Sequence, residues 1–130
     1  MNELPIAISE IIKDINSVII THTYGDHWDE VAAKNIPKSL PIFVQNKSDK
    51  NLVQIQGFTN IIIVGENTKF KDINIIKKEG KHGTDDVIKH FGEDLGICMG
   101  FALKAPEEKT VYFTGDTIWT KNCELAIEKK

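Results

Sequence analysis

A chain of 130 residues with 41% hydrophobic and 27% charged residues has the size and make-up of one globular domain. Its net charge of -3 argues against nucleic acid or an anionic membrane held by bulk charge, and all 16 basic residues are lysine, so the planar guanidinium fork of phosphate and base recognition is missing. No stretch nears the roughly 20 apolar residues of a membrane span, the first residues lack a signal-peptide pattern, and Cys98 and Cys123 form no CxxC pair; the expectation is a cytoplasmic protein with reduced thiols and neither nucleic acid nor membrane as partner.

Along the chain, Ile8, Ile11, Ile12 and Ile15 recur at helical spacing, which predicts a short helix over 6–14. The β-branched run at 17–21 predicts a buried strand. A polar loop, 22–27, leads into a helix over 28–35 with Asp29 and Glu30 in its first turn, where the helix dipole favours negative charge. A second strand is expected at 41–45. Ser48 then caps a helix that runs to Gln56 and stops at Gly57, and a third strand falls at 60–64. This strand–helix alternation predicts parallel strands joined by right-handed crossovers, with ligands gathering at the strands' carboxyl ends. The second half changes character. A strand at 73–79 precedes the loop "GKHGTDD"; two strands, 97–105 and 110–116, flank the hairpin connection "PEEK"; and a last helix covers 122–129 with Asn122 as its cap.

The chemistry concentrates at strand ends. His22, Asp26 and His27 fall within six residues directly after the first strand, and imidazole nitrogen with carboxylate oxygen suits zinc or another borderline divalent cation. His82 follows the strand at 73–79 and Asp116 ends the strand at 110–116. A strand end is a rigid platform for a ligand that must be held closely. Other residues read as structural. Cys98 is a small buried hydrophobe, His90 an exposed cation near a helix end, and Trp28 and Trp119 either wall a pocket or pack in the core or at an edge.

The segment "THTYGDHWD" resembles the HxHxDH signature of the metallo-β-lactamase superfamily, and "GKHG" and "VYFTGDT" follow in the order that family shows. "PIFVQN", "QGFTN" and "MGFAL" are similar to the branch of metal-dependent hydrolases that includes ascorbate-6-phosphate lactonases. The resemblance runs from about Ile15 to Trp119. It implies an α/β fold: part of an αββα sandwich, mixed sheet with flanking helices, in a single incomplete domain over 1–130. It also implies a one- or two-metal site, Zn2+ or Mn2+, in which His22, His82 and Asp116 hold a first cation and Asp26, His27 and Asp116 a second. A water activated there would attack an ester, lactone or phosphoester of a small-molecule substrate, with Asp26 as the catalytic carboxylate.

Two departures from the family pattern weaken that site. Tyr24 stands where the family has its second histidine, and a neutral phenol is a poor zinc ligand. No histidine follows His90, so the family's last histidine ligand has no counterpart here. The strands that flank the motifs in the family are also short of their full set, which predicts uncovered apolar sheet, open strand edges, and a second copy or a complementing chain as partner. Three outcomes follow: a hydrolase completed by such a partner, a degenerate or fragmentary relative that folds but has lost catalysis, or a binding, regulatory or oligomerising module that keeps a weak metal site or none.

Overall fold

The computed structural model describes residues 5–95 and 98–128. It divides into two compact units, Met1–Ile63 and Val64–Lys130.

In the first unit three strands, β1 (Val18–Ile19), β2 (Ile42–Val44) and β3 (Ile61–Ile63), form a parallel sheet in the order β1-β2-β3. Val18 pairs with Ile42, and Ile42 with Ile61. The alternation read from the sequence therefore gives the parallel sense expected. All three residues of the central strand β2 are buried, as a strand covered on both faces requires. The helices are α1 (Ile8–Ile11), α2 (Glu30–Asn35) and α3 (Lys47–Ile55). Ile20, Trp28, Ala33, Ile36, Ile42, Val44, Val53 and Phe58 make the core. Trp28 is thus a core residue, its indole N–H donating to Gln56 Oε1 at 2.8 Å.

Three helix boundaries differ from expectation, each for a local reason. Helix α1 is a single turn; its N-cap makes no side-chain hydrogen bond, and its isoleucines are stiff at χ1, so little extends it. Helix α2 starts at Glu30 because Asp29 is the cap, accepting from Ala32 N–H at 2.7 Å. Helix α3 is capped by Asn46 rather than Ser48: Asn46 is extended, with φ -156°, and its Oδ1 accepts from Asp49 N–H, which leaves Ser48 inside the first turn.

The second unit is antiparallel. Strands β4 (Thr68–Phe70), β5 (Ile73–Glu79), β6 (Met99–Lys104) and β7 (Val111–Phe113) pair in chain order. Helix α4 (Asp85–Leu95) lies between β5 and β6 in the chain, and α5 (Lys121–Glu128) follows β7. The hairpin expected around "PEEK" is present, with Leu103 opposite Val111 and the rings of Phe101 and Phe113 stacked 5.0 Å apart across the ladder. Strand β4 was not expected. It pairs through a two-residue turn at Lys71 and Asp72, where Lys71 has φ 54°. Helix α5 begins before Asn122, which instead donates to Glu79 Oε2 at 3.0 Å, while Thr120 C=O accepts from Cys123 N–H. Ile97 and Lys129, assigned above to a strand and a helix, lie outside the described residues. The parallel and antiparallel pairings are divided between two sheets. Among the described residues no helix is long and apolar enough to cross a membrane.

Candidate metal centre

In the first unit the chain leaves β1, hydrogen-bonds Ile20 N–H to Phe43 C=O, and enters the loop that carries three of the expected ligands. His22 is buried, with 2% of its surface exposed. Its Nδ1 lies 3.2 Å from Thr21 Oγ1, a contact that fixes the ring. The chain then turns: the N–H groups of His27 and Trp28 both donate to Tyr24 C=O, at 2.9 and 2.7 Å. That turn folds His27 back over His22, with ring centroids 4.1 Å apart, and brings His27 Nε2 to 3.7 Å from Asp26 Oδ2. The ligand atoms of His22, Asp26 and His27 all lie within 4.8 Å of one another. Two imidazoles and a carboxylate at that spacing fit a borderline divalent cation. Tyr24 packs its ring edge-on to His22, at 5.4 Å.

In the second unit His82 and Asp116 come together from two loops. His82 Nε2 and Asp116 Oδ2 are 3.4 Å apart; the histidine side chain is buried and the carboxylate half exposed. The two loops are fastened by backbone. Ile118 N–H donates to Lys81 C=O at 2.8 Å; Lys81 N–H donates to Thr117 Oγ1 at 2.7 Å, and that hydroxyl returns to Lys81 C=O at 3.1 Å. Two glycines let the chain pass closely enough. Gly115 has φ 70°, and a Cβ there would stand 2.4 Å from Met99 C=O; a Cβ on Gly100 would stand 2.7 Å from Phe113 C=O. Cys98 Sγ donates to Asp116 C=O at 2.9 Å. Burial, with the Asp116 carboxylate nearby, pushes the Cys98 thiol up, so it remains a protonated, inert core group.

Sequence reasoning named these five residues as expected ligands but missed the residues that hold their loops. Thr117 carries no spacing signal of its own, and neither does Thr23, whose hydroxyl donates to the buried carboxylate of Asp49 at 2.9 Å. Asp49 sits three residues after a helix cap, a pattern visible in "NKSD", but its partner lies 26 residues upstream and no local rule reaches it. Of the side residues, Trp119 is 63% exposed, and His90 is exposed with Nδ1 2.7 Å from Asp86 C=O.

A parallel three-stranded sheet that carries the histidine–aspartate loop after its first strand, followed in the chain by an antiparallel four-stranded sheet, is an arrangement shared with proteins of the metallo-β-lactamase fold. YhfI of Bacillus subtilis, a metallo-β-lactamase fold protein, shares that fold at a TM-score of 0.59 and 15% identity, over 88% of this chain and 48% of its own. A possible metal-dependent hydrolase from Veillonella parvula DSM 2008 is 40% identical, with a TM-score of 0.96 over 99% of this chain and 50% of that one. An isothiocyanate hydrolase from Delia radicum gut bacteria is 33% identical, with a TM-score of 0.88 over 96% of this chain and 49% of that one. Among curated relatives, UPF0173 protein YddR of Bacillus subtilis is 36% identical over 116 residues, 89% of this chain and 44% of YddR. A UPF0173 metal-dependent hydrolase of Pyrococcus abyssi is 28% identical over 131 residues, 98% of this chain and 55% of that protein. No family model matches. The chain is similar to UPF0173 proteins, two of them named metal-dependent hydrolases, and it spans about half the length of those relatives.

Proposed function

We propose that this chain carries the ligand-bearing portion of a metal-dependent hydrolase, with His22, Asp26, His27, His82 and Asp116 as its metal ligands and zinc or manganese as the cation. The observation that carries the reading is the convergence of His22, Asp26 and His27, whose ligand atoms lie within 4.8 Å of one another on one loop. A divalent cation bound there supplies a water that ionises near neutral pH and a Lewis acid for the developing oxyanion. The chain's own groups do the rest. His22, buried and fixed at Nδ1 by Thr21, offers Nε2. Asp26 is the catalytic carboxylate: its side chain is 71% exposed, so it reaches solvent and accepts the proton of the attacking water at a carboxylate oxygen. Tyr24 stands beside His22, its ring edge-on at 5.4 Å.

The substrate class follows from that chemistry: a small molecule with an electrophilic centre open to hydroxide. An ester, lactone or phosphoester meets that description on the resemblance to lactonase-type hydrolases. An isothiocyanate meets it through its central carbon, and the 33% identical isothiocyanate hydrolase favours including that class.

The test is a zinc titration of the metal-stripped chain by calorimetry, followed by a panel of lactones, phosphodiesters, thioesters and isothiocyanates. The double variant Asp26→Ala/His27→Ala should bind zinc at least about tenfold more weakly than wild type, Tyr24→His about tenfold more tightly, and Asp116→Ala should abolish turnover. A wild-type chain that holds zinc no better than the double variant, with no turnover on the panel, leaves the chain a binding module with an inactive site.

A further inference from the structure

We infer that Asp49 is a positioning residue for the ligand loop, acting through the Thr23 hydroxyl, an inference that rests on the metal-binding reading above. Thr23 lies between His22 and Tyr24. The rings of those two neighbours meet edge to face at 5.4 Å, so both stand on one side of the loop. Thr23, between them, sends its hydroxyl to Asp49 Oδ1 at 2.9 Å. Thr23 is bonded directly to His22, so anchoring its side chain restricts the backbone that aims His22.

The anchor is itself held firmly. Asp49 lies in the first turn of α3, and its N–H donates to Asn46 Oδ1 at 2.9 Å, so the helix cap fixes its backbone while Thr23 takes its side chain. Only 7% of Asp49 is exposed, and among the described residues its Oδ2 has no hydrogen-bond partner. Stability alone explains this poorly. Withdrawing a carboxylate from water costs more than a single hydroxyl hydrogen bond returns, and exchanging both partners for apolar groups of like shape is close to neutral. The helix N-terminus offsets part of that cost and makes the first turn a tolerable place for the charge. A buried carboxylate kept under such terms, and spent on the residue next to His22, has the character of the outer hydrogen bonds that orient metal ligands.

The test is a cobalt(II) titration of the metal-stripped full chain, read by visible absorption and by competition with a chromophoric chelator, on wild type, Thr23→Val, Thr23→Ser, Asp49→Leu and Asp49→Asn. Thr23→Val and Asp49→Leu should weaken cobalt binding about ten- to a hundredfold and shift the absorption bands. Thr23→Ser and Asp49→Asn keep a donor and an acceptor, and should stay within about threefold of wild type. An unchanged urea midpoint in Thr23→Val separates positioning from loss of fold, whatever becomes of Asp49→Leu. Thr23→Val binding cobalt as wild type does, with the same spectrum, overturns the inference, and so does Thr23→Ser as weak as Thr23→Val. If His22→Ala abolishes binding while Thr23→Val retains it, only this inference fails. A wild-type chain that takes up no cobalt sinks the metal reading and this inference with it.

Discussion

In the first unit His22, Asp26 and His27 come from six consecutive residues after one strand; in the second, His82 and Asp116 come from two loops that an antiparallel ladder and a threonine bring side by side. The first arrangement is local. It needs a turn closed on Tyr24 C=O and an anchor at Thr23, and it would survive many changes in the strands around it. The second arrangement is a product of register: β6 must pair with β7, and two glycines must let their backbones pass, before residues 82 and 116 meet. A local cluster is sensitive to side chains. A register-built cluster is sensitive to backbone.

Three perturbations test that contrast, in order of expected size. The largest is Phe58→Ala. Phe58 is 1% exposed, tilts against Trp28 with ring centroids 5.7 Å apart, and receives Lys38 Nζ 4.1 Å over its ring. Removing it should cost about 3–5 kcal/mol, and hydrogen exchange should quicken first at the β2 amides of the first unit. An equal loss of protection in β6 would erase the distinction between the units. Next comes Gly115→Ala. With φ 70° and a Cβ driven to 2.4 Å from Met99 C=O, it should cost about 3 kcal/mol and quicken exchange in β6. Retained β6 protection would mean that the loop shifts freely and that the glycine does not set the position of Asp116.

The smallest concerns pH. Burial, helped by the neighbouring Cys123 thiol, pushes the Tyr112 phenol from its ordinary 10.0 up to about 12. A folded value above the unfolded one means that the folded chain holds this proton more tightly. Its contribution is complete below pH 10 and is lost as the pH climbs through about 12. Tyr112→Phe should therefore lose less stability than wild type across that window, measured by urea midpoints. Parallel pH profiles for the two proteins would show that the phenol is not the group responsible.

Much of this was legible beforehand, and unevenly. The parallel order of β1, β2 and β3 follows from "SVII", "PIFV" and "NIIIV" spaced by helical segments, because apolar β-branched runs of that length have few other homes. The five ligand candidates were readable because each lies at a strand end in a recognisable motif. Strand β4 was not readable. It has three residues, two of them polar, and its turn at Lys71 and Asp72 lacks the Asn-Gly or Asp-Gly pair that advertises a tight hairpin; only pairing with β5 makes it a strand. The cap of α3 was misplaced by two residues, since Ser48 and Asn46 are both good caps and only the extended backbone at Asn46 decides between them. Thr23 and Asp49 were invisible because their bond spans 26 residues and leaves no periodic trace.

The clasp between Lys81 and Thr117 has a consequence for how such a centre changes over time. It is made of peptide groups and one hydroxyl, none of them belonging to residue 82 or 116. The frame is thus inherited separately from the chemistry it presents. Mutation can exchange the side chains at the two presenting positions while the scaffold beneath them keeps its shape, so that descendants with altered or silent chemistry still inherit an intact mount.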